Sequence, residues 1–395
     1  MDVVPDLAEL DKRRDRLFQA LNGSGQAFDT AIVINKINQY YLTGTMQDGL
    51  LVLRGDGSMT YFVRKSYARA CLESPLRDIV QIGAYRDMLA CLPENLGQTW
   101  LETELVPLAM LDRIRKVFAM QAILPLDGLL LQLRAVKSSH ELAIIRESGR
   151  QHRHVLEQIV PAMLREGMSE TDLFAELYEA MVKLGYQGVS RFAMFQMEMV
   201  IGQAGFGTNS LYPTSFNGPG GMIGQHPAVP IMGSRTRKLC KGDLVFVDIG
   251  YGLAGYHTDK TQVYSFGAKP TYEVRAVHAA CRDLLDRTAA GLVPGCIPDQ
   301  HYQALMTDLP AELSAHFMGY DDPVRFLGHG VGLQIDEYPV IAQGKFLPLE
   351  ENMIIALEPK CGIEGVGMVG VEETFVVTRS GAECLTGGAQ DIVVV

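Results

Sequence analysis

Four carboxylates and one histidine interrupt apolar runs in the last third of this 395-residue chain. They are Asp248 in LVFVDIG, Asp259 in GYHTDKT, His329 in LGHGVGL, Glu358 in IIALEPK and Glu372 in MVGVEETFVV. From Leu244 to Ile249 both faces of a period-two pattern are apolar except at Asp248, so a strand there buries its carboxylate. One unpaired buried carboxylate is destabilising by several kcal/mol, and four of them require a shared counter-charge. Two divalent cations would neutralise the set. The pattern therefore predicts a dinuclear metal centre; ordinary surface acids would account for one hairpin pair but not for all five.

Local sequence supports that expectation. Asp248 and Asp259 flank a glycine-containing turn at Tyr251 to Gly255, which reads as a β-hairpin with both carboxylates on one face. Glu358 precedes Pro359 and is thereby pushed toward extended backbone. His329 lies between two glycines, which allow close approach to an ion. Oxygen-rich ligation with one imidazole suits Mn²⁺, Co²⁺, Fe²⁺ or Zn²⁺. Two such ions sharing a water would favour hydrolysis at a carbonyl or closely related carbon.

At these residues the chain resembles the pita-bread metallohydrolases, the group of methionine aminopeptidase, aminopeptidase P, prolidase and creatinase. Their pattern is an aspartate, a second eleven residues on, a Gly-His-Gly histidine, a Glu-Pro glutamate and a late glutamate. All five occur here in that order, and Leu131 to Gly149 resembles the opening of the catalytic domain in the aminopeptidase P, prolidase and creatinase branch. The resemblance implies an α+β fold, with a pita-bread catalytic domain over 137–395 and an α/β creatinase-type N-terminal domain over 1–136. It implies two divalent ions per chain, Mn²⁺ foremost. Asp248 would hold one ion, Asp259 and Glu372 would bridge, and His329 with Glu358 would complete the other. Glu358 would also act as general base in removing an N-terminal residue, as an Xaa-Pro aminopeptidase or dipeptidase does. A homodimer is implied too, the N-terminal domain helping to form it.

Composition narrows the partners. A net charge of −11 argues against nucleic acid and anionic membrane. The charged start lacks the apolar core of a signal peptide, and no later apolar run is long enough to span a bilayer. The seven scattered cysteines read as reduced thiols of a cytoplasmic protein.

The N-terminal part reads as a helix over 7–22, strands at Thr30 to Asn35, Leu50 to Arg54 and Met59 to Val63, and helical periodicity near 66–74 and 106–120. It holds no cluster of His, Asp and Glu. The second domain opens on a helix from Ser139 to Val160. Ser169 and Asp172 form a capping-box pattern for a helix reaching Leu184. A similar pair of helices near 272–289 and after Pro298 suggests a weak internal duplication. Gly202 to Gly233 carries eight glycines in 32 residues and reads as a long loop walling the active site, with Phe206, Tyr212 and Phe216 available to line it.

Three further residues bear on substrate. His226 lies where relatives carry a substrate-contacting histidine, and reads either as that contact or as a surface loop residue. His257 precedes Asp259 by two residues and shares its face, as proton donor, as a partner holding a metal ligand in place, or as a structural residue. Asp336 stands where prolidases and aminopeptidases P carry a second histidine. It is expected to pair with Arg325 or Lys360, to attract a cationic substrate group, or simply to be solvated. Arginines usual in those relatives are replaced by Gln262 and Gly370. These departures put proline specificity in question and motivate a second reading, a non-peptide hydrolase or lyase acting on a small zwitterion in the manner of creatinase or ectoine hydrolase. A third, a catalytically dead peptide-binding module, has no need of five retained ligands.

Overall fold

In the computed structural model, which describes residues 4–194 and 197–395, the chain divides between Arg134 and Ala135 into two units. The first is built on six strands, β1 (Thr30–Val33), β2 (Asp48–Arg54), β3 (Met59–Lys65), β4 (Ile79–Gln81), β5 (Gln98–Leu101) and β6 (Ala122–Pro125). They are ordered β4-β3-β2-β1-β5-β6, and Gly55 to Gly57 closes the expected β2–β3 hairpin, with Gly57 at φ 86°. The helix Lys36–Thr43 has no signal in the sequence pattern, because eight residues carry too little periodicity to announce themselves. It is anchored by Glu102, a buried acid whose carboxylate accepts from the N–H groups of Ile34 and Asn35 and from Asn38 Nδ2 at 2.5, 2.7 and 2.6 Å. Glu102 is thus satisfied locally as part of the scaffold.

The second unit contains three sheets. One, ordered β17-β9-β8-β7, holds β7 (Gly202–Phe206), β8 (Leu244–Leu253), β9 (Tyr256–Ser265) and β17 (Val393–Val394). Another, ordered β11-β10-β12-β15-β16, holds β10 (Phe326–Gly330), β11 (Glu337–Ala342), β12 (Ile354–Leu357), β15 (Glu373–Thr378) and β16 (Gly381–Cys384). A hairpin of β13 (Lys360–Ile363) and β14 (Gly367–Gly370) forms the third. Strand β7 is a correction: the segment read as one long loop begins as a strand paired antiparallel to β8, and the irregular part follows it.

Alternation along β8 sorts the cores. Val245, Val247, Ile249 and Tyr251 pack with Leu173, Phe174 and Leu177 of the helix Glu170–Lys183. Leu244 and Phe246, on the other face, join Val277, Cys281 and Leu284 of the helix Tyr272–Ala290. Each such fully buried side chain contributes roughly 1.5–3 kcal/mol. Ser169 and Asp172 form the expected reciprocal cap, at 3.1 and 2.8 Å. Asp248 lies on the same face of β8 as Leu244 and Phe246, two residues beyond Phe246.

Candidate metal centre

The β8–β9 hairpin is tighter than its sequence suggested. Strand pairing continues to Leu253 and Tyr256, and Ala254 and Gly255 alone make the turn, at φ 49° and 94°. Two consecutive positive φ values match the twist of the flanking strands. In this register Asp248 lies opposite Thr261 and Asp259 opposite Gly250, so the two carboxylates are diagonal neighbours on one face. Glycine at 250 makes room for Ile335, whose Cδ1 would lie 2.2 Å from a Cβ at that position.

Glu372 is pinned across the sheets. Thr261 N–H donates to the Glu372 carbonyl at 3.2 Å, and the Thr261 hydroxyl donates to Glu372 Oε2 at 3.0 Å. Two residues away along β9, Asp259 N–H donates to Thr374 Oγ1 and the Thr374 hydroxyl donates back to the Asp259 carbonyl, both at 2.8 Å. Strand β10 brings His329 in beside β12, where Glu358 N–H donates to the Leu327 carbonyl at 3.0 Å. His329 Nε2 stands 3.5 Å from Glu358 Oε1, 3.8 Å from Glu372 Oε1 and 4.0 Å from Asp259 Oδ2. Its Nδ1 lies 3.1 Å from the Gly330 carbonyl, the contact that fixes the N–H on Nδ1 and leaves Nε2 free to ligate.

Asp259, His329 and Glu372 each present a ligand atom, all within 4.8 Å of one another, and Glu372 Oε1 is buried without a hydrogen-bond partner. This set fits a divalent cation. Burial and the neighbouring Asp248 push Asp259 up to about 8, and burial likewise raises Glu358 and Glu372. His329 is raised too: burial disfavours its charged form, but Asp336, Glu358 and Asp259 outweigh burial.

A further partner of the carboxylates is Lys360, the first residue of β13. Its Nζ lies 3.0 Å from Asp248 Oδ2, 2.8 Å from Glu358 Oε2 and 2.7 Å from Glu372 Oε2, with the side chain wholly buried. The sequence offers Lys360 as a partner for Asp336, and the structure gives it to the carboxylates instead. Among the described residues Asp336 makes no ion pair with Lys360 or Arg325; it is half-buried and acts on His329 through its charge.

The histidines separate. His257 is buried, with its Nδ1 3.0 Å from the Gly332 carbonyl and its Nε2 within 2.9 Å of Gln187 Nε2 and 3.3 Å of Arg191 N–H. Burial holds it down at about 4, so it is neutral, with Nδ1 donating and Nε2 accepting. His226 sits in an exposed turn closed by Val229 and accepts from Ala228 N–H at 3.1 Å. Gln262 lies on the face of β9 away from Asp259, its amide donating to the carbonyls of Val263 and Asp391 at 3.0 and 3.2 Å. That departure therefore falls outside the carboxylate cluster.

A small cavity opens directly onto Asp248 and Asp259, walled by Phe192, Met199, Phe216 and Ile335. Of the three loop aromatics, Phe216 reaches it, Phe206 is core and Tyr212 is exposed. A neighbouring cleft of about 140 Å³ shares Met199 and Phe216 and takes Val229 and Pro230 from the turn of His226. Gln203, opposite Asp248 in register, lines the small cavity with both amide atoms buried and unpartnered. It lay hidden in the glycine-rich stretch, and only its place in a strand beside Asp248 marks it.

The profile of metallopeptidase family M24 matches residues 143–379, and that of the Creatinase/Prolidase N-terminal domain matches 13–136. The chain belongs to metallopeptidase family M24. Among M24-like relatives, an uncharacterised peptidase of Staphylococcus aureus is 25% identical over 92% of this chain and 96% of its own length. The Xaa-Pro dipeptidase of Pyrococcus furiosus is 24% identical over 91% of this chain and 94% of its own. Among solved structures, an Xaa-Pro dipeptidase from Bacillus anthracis superposes with a TM-score of 0.79 at 21% identity, covering 98% of this chain and 100% of that one. The M24 assignment carries the pita-bread fold and divalent-metal use expected from the five residues. No helix among the described residues is long and apolar enough to cross a membrane.

Proposed function

We propose that this M24 protein removes the N-terminal residue from Xaa-Pro dipeptides or short peptides with a free amino terminus. The observation that carries the reading is the convergence of Asp259, His329 and Glu372 on one point, with Glu358 Oε1 3.5 Å from His329 Nε2. A divalent ion held there supplies Lewis acidity for attack on a peptide carbonyl. Glu358 is the general base: one oxygen is held by Lys360, and the other is available to take a proton from the attacking water. Asp248 and Asp336 attract the substrate ammonium, and Phe192, Met199, Phe216 and Ile335 exclude water around the residue to be released. His257, with both ring nitrogens engaged, positions the β8–β9 hairpin against Gly332. The same reading carries a cytoplasmic homodimer using Mn²⁺, Co²⁺, Fe²⁺ or Zn²⁺, and the seven unpaired cysteines agree with a reducing compartment.

Asp336 favours the second reading, a hydrolase or lyase for a small zwitterion, because it adds an anion where prolidases place a histidine. Purified protein loaded in turn with each metal, then offered Xaa-Pro peptides, their N-acetylated forms and small N-substituted amides, separates the two. Cleavage confined to free-amino peptides and abolished by a chelator is expected. Turnover of the small amides alone would replace the peptidase reading.

A further inference from the structure

The metal-dependent reading leaves open how many ions the centre holds. We propose that the Lys360 ammonium takes one of the two cation positions, so that the chain binds a single divalent ion at Asp259, His329 and Glu372. The argument starts from which oxygens are already used. Glu372 Oε2 receives Lys360 Nζ at 2.7 Å and the Thr261 hydroxyl at 3.0 Å, while Glu372 Oε1 alone is unpartnered and faces His329. A carboxylate that bridges two ions offers each a separate oxygen, and here one is already committed. Asp248 Oδ2 and Glu358 Oε2 are committed to the same Nζ, at 3.0 and 2.8 Å. The second ion would have to evict this ammonium.

Eviction is opposed by the backbone. Lys360 opens β13, is paired with Gly370 across the β13–β14 hairpin, and its carbonyl accepts from Met318 N–H at 2.8 Å. Its side chain has no exposed surface, so a displaced ammonium would remain buried and unpaired. Charge agrees with a single ion. Asp248, Asp259, Glu358 and Glu372 contribute −4, Lys360 +1 and one divalent ion +2, leaving −1 for a substrate ammonium to offset.

The test is the stoichiometry of Mn²⁺. Chelator-stripped protein is titrated with Mn²⁺, washed by gel filtration and analysed for metal content and by electron paramagnetic resonance. Wild type should hold one ion per chain with the spectrum of an isolated Mn²⁺. Lys360→Gly and Lys360→Met should each rise to two ions, with the exchange-coupled spectrum of a close pair. Two coupled ions in wild type would overturn the inference while leaving the metallopeptidase reading intact. No ion in wild type would overturn both. A folded Lys360 variant that stays at one ion would show that the ammonium was not what excluded the second. Should either variant fail to fold, the wild-type count still decides.

Discussion

Lys260 Nζ and Glu373 Oε1 meet out of reach of solvent, on the face of β9 turned away from Asp259. Glu373 Oε2 in turn accepts from the Thr386 hydroxyl at 2.5 Å. The pair therefore sits directly behind two of the proposed ligands, Asp259 and Glu372, each its neighbour in sequence. Breaking it should be severe: Lys260→Met leaves a buried carboxylate uncompensated and should lower stability by about 3–5 kcal/mol. Lys260→Met combined with Glu373→Leu should regain most of that loss. Denaturant unfolding of the three variants gives the coupling, and additive losses would show that the two charges do not depend on each other.

Gln203 is expected to act on substrate without affecting metal. Both its amide atoms are buried beside Asp248 with no partner, so each awaits a polar group on the ligand. Gln203→Leu should raise KM for a free-amino peptide about tenfold, the equivalent of ~1.4 kcal/mol, with Mn²⁺ content unchanged. An unaltered KM would remove Gln203 from the substrate pocket.

Asp336 offers a gain as well as a loss. Asp336→Asn should raise KM for cationic substrates about tenfold and weaken Mn²⁺ binding several-fold, since the carboxylate acts on His329. Asp336→His restores the prolidase-like residue and should increase Xaa-Pro turnover. Steady-state kinetics and metal titration of both variants test this together; wild-type values in both would mean a solvated side chain of no consequence to the site.

His257 predicts a pH dependence of stability. Its pKa falls from 6.5 in the unfolded chain to about 4 in the fold, through burial. A depressed pKa contributes stability that is fully present above 6.5 and lost as pH falls through 4. The contribution is about 3 kcal/mol at most. His257→Gln can keep the contacts to Gly332 and Arg191 without titrating. Its unfolding midpoint should therefore decline less than that of wild type between pH 6.5 and 4. Parallel curves would assign the acid sensitivity to other groups.

The gathered carboxylates were legible because burial of charge leaves a mark in sequence: an acid inside an apolar run has few explanations. Asp248 and Asp259 also share a hairpin, whose face can be read by counting in twos. Lys360 left the same mark, directly after Glu358 and Pro359 in an apolar run, yet the counter-charge was assigned entirely to metal. Gln203 left no mark, because an uncharged side chain among glycines looks like a loop. Whether a residue such as Gln262 faces the site depends on strand parity in the folded register, and here that parity turns it away. The short helix at Lys36–Thr43 was equally silent, being stabilised by Glu102 from a distant strand rather than by its own periodicity.

Gly370 lies opposite Lys360 with φ at 133°, and a Cβ there would come within 2.5 Å of the Lys360 Cα and of the Pro359 carbonyl. Relatives of the branch it resembles carry an arginine at that position. Replacing Gly370 alone with arginine would both strain the hairpin and add a cation beside one already in place. Replacing Lys360 alone would open its place to a second ion. The two positions are therefore coupled in order: an arginine can enter at 370 only once the lysine has gone and the hairpin has given way. Lysine at 360 together with arginine at 370 should accordingly be rare among M24 sequences, a signature that can be sought in sequence collections before any further member is purified.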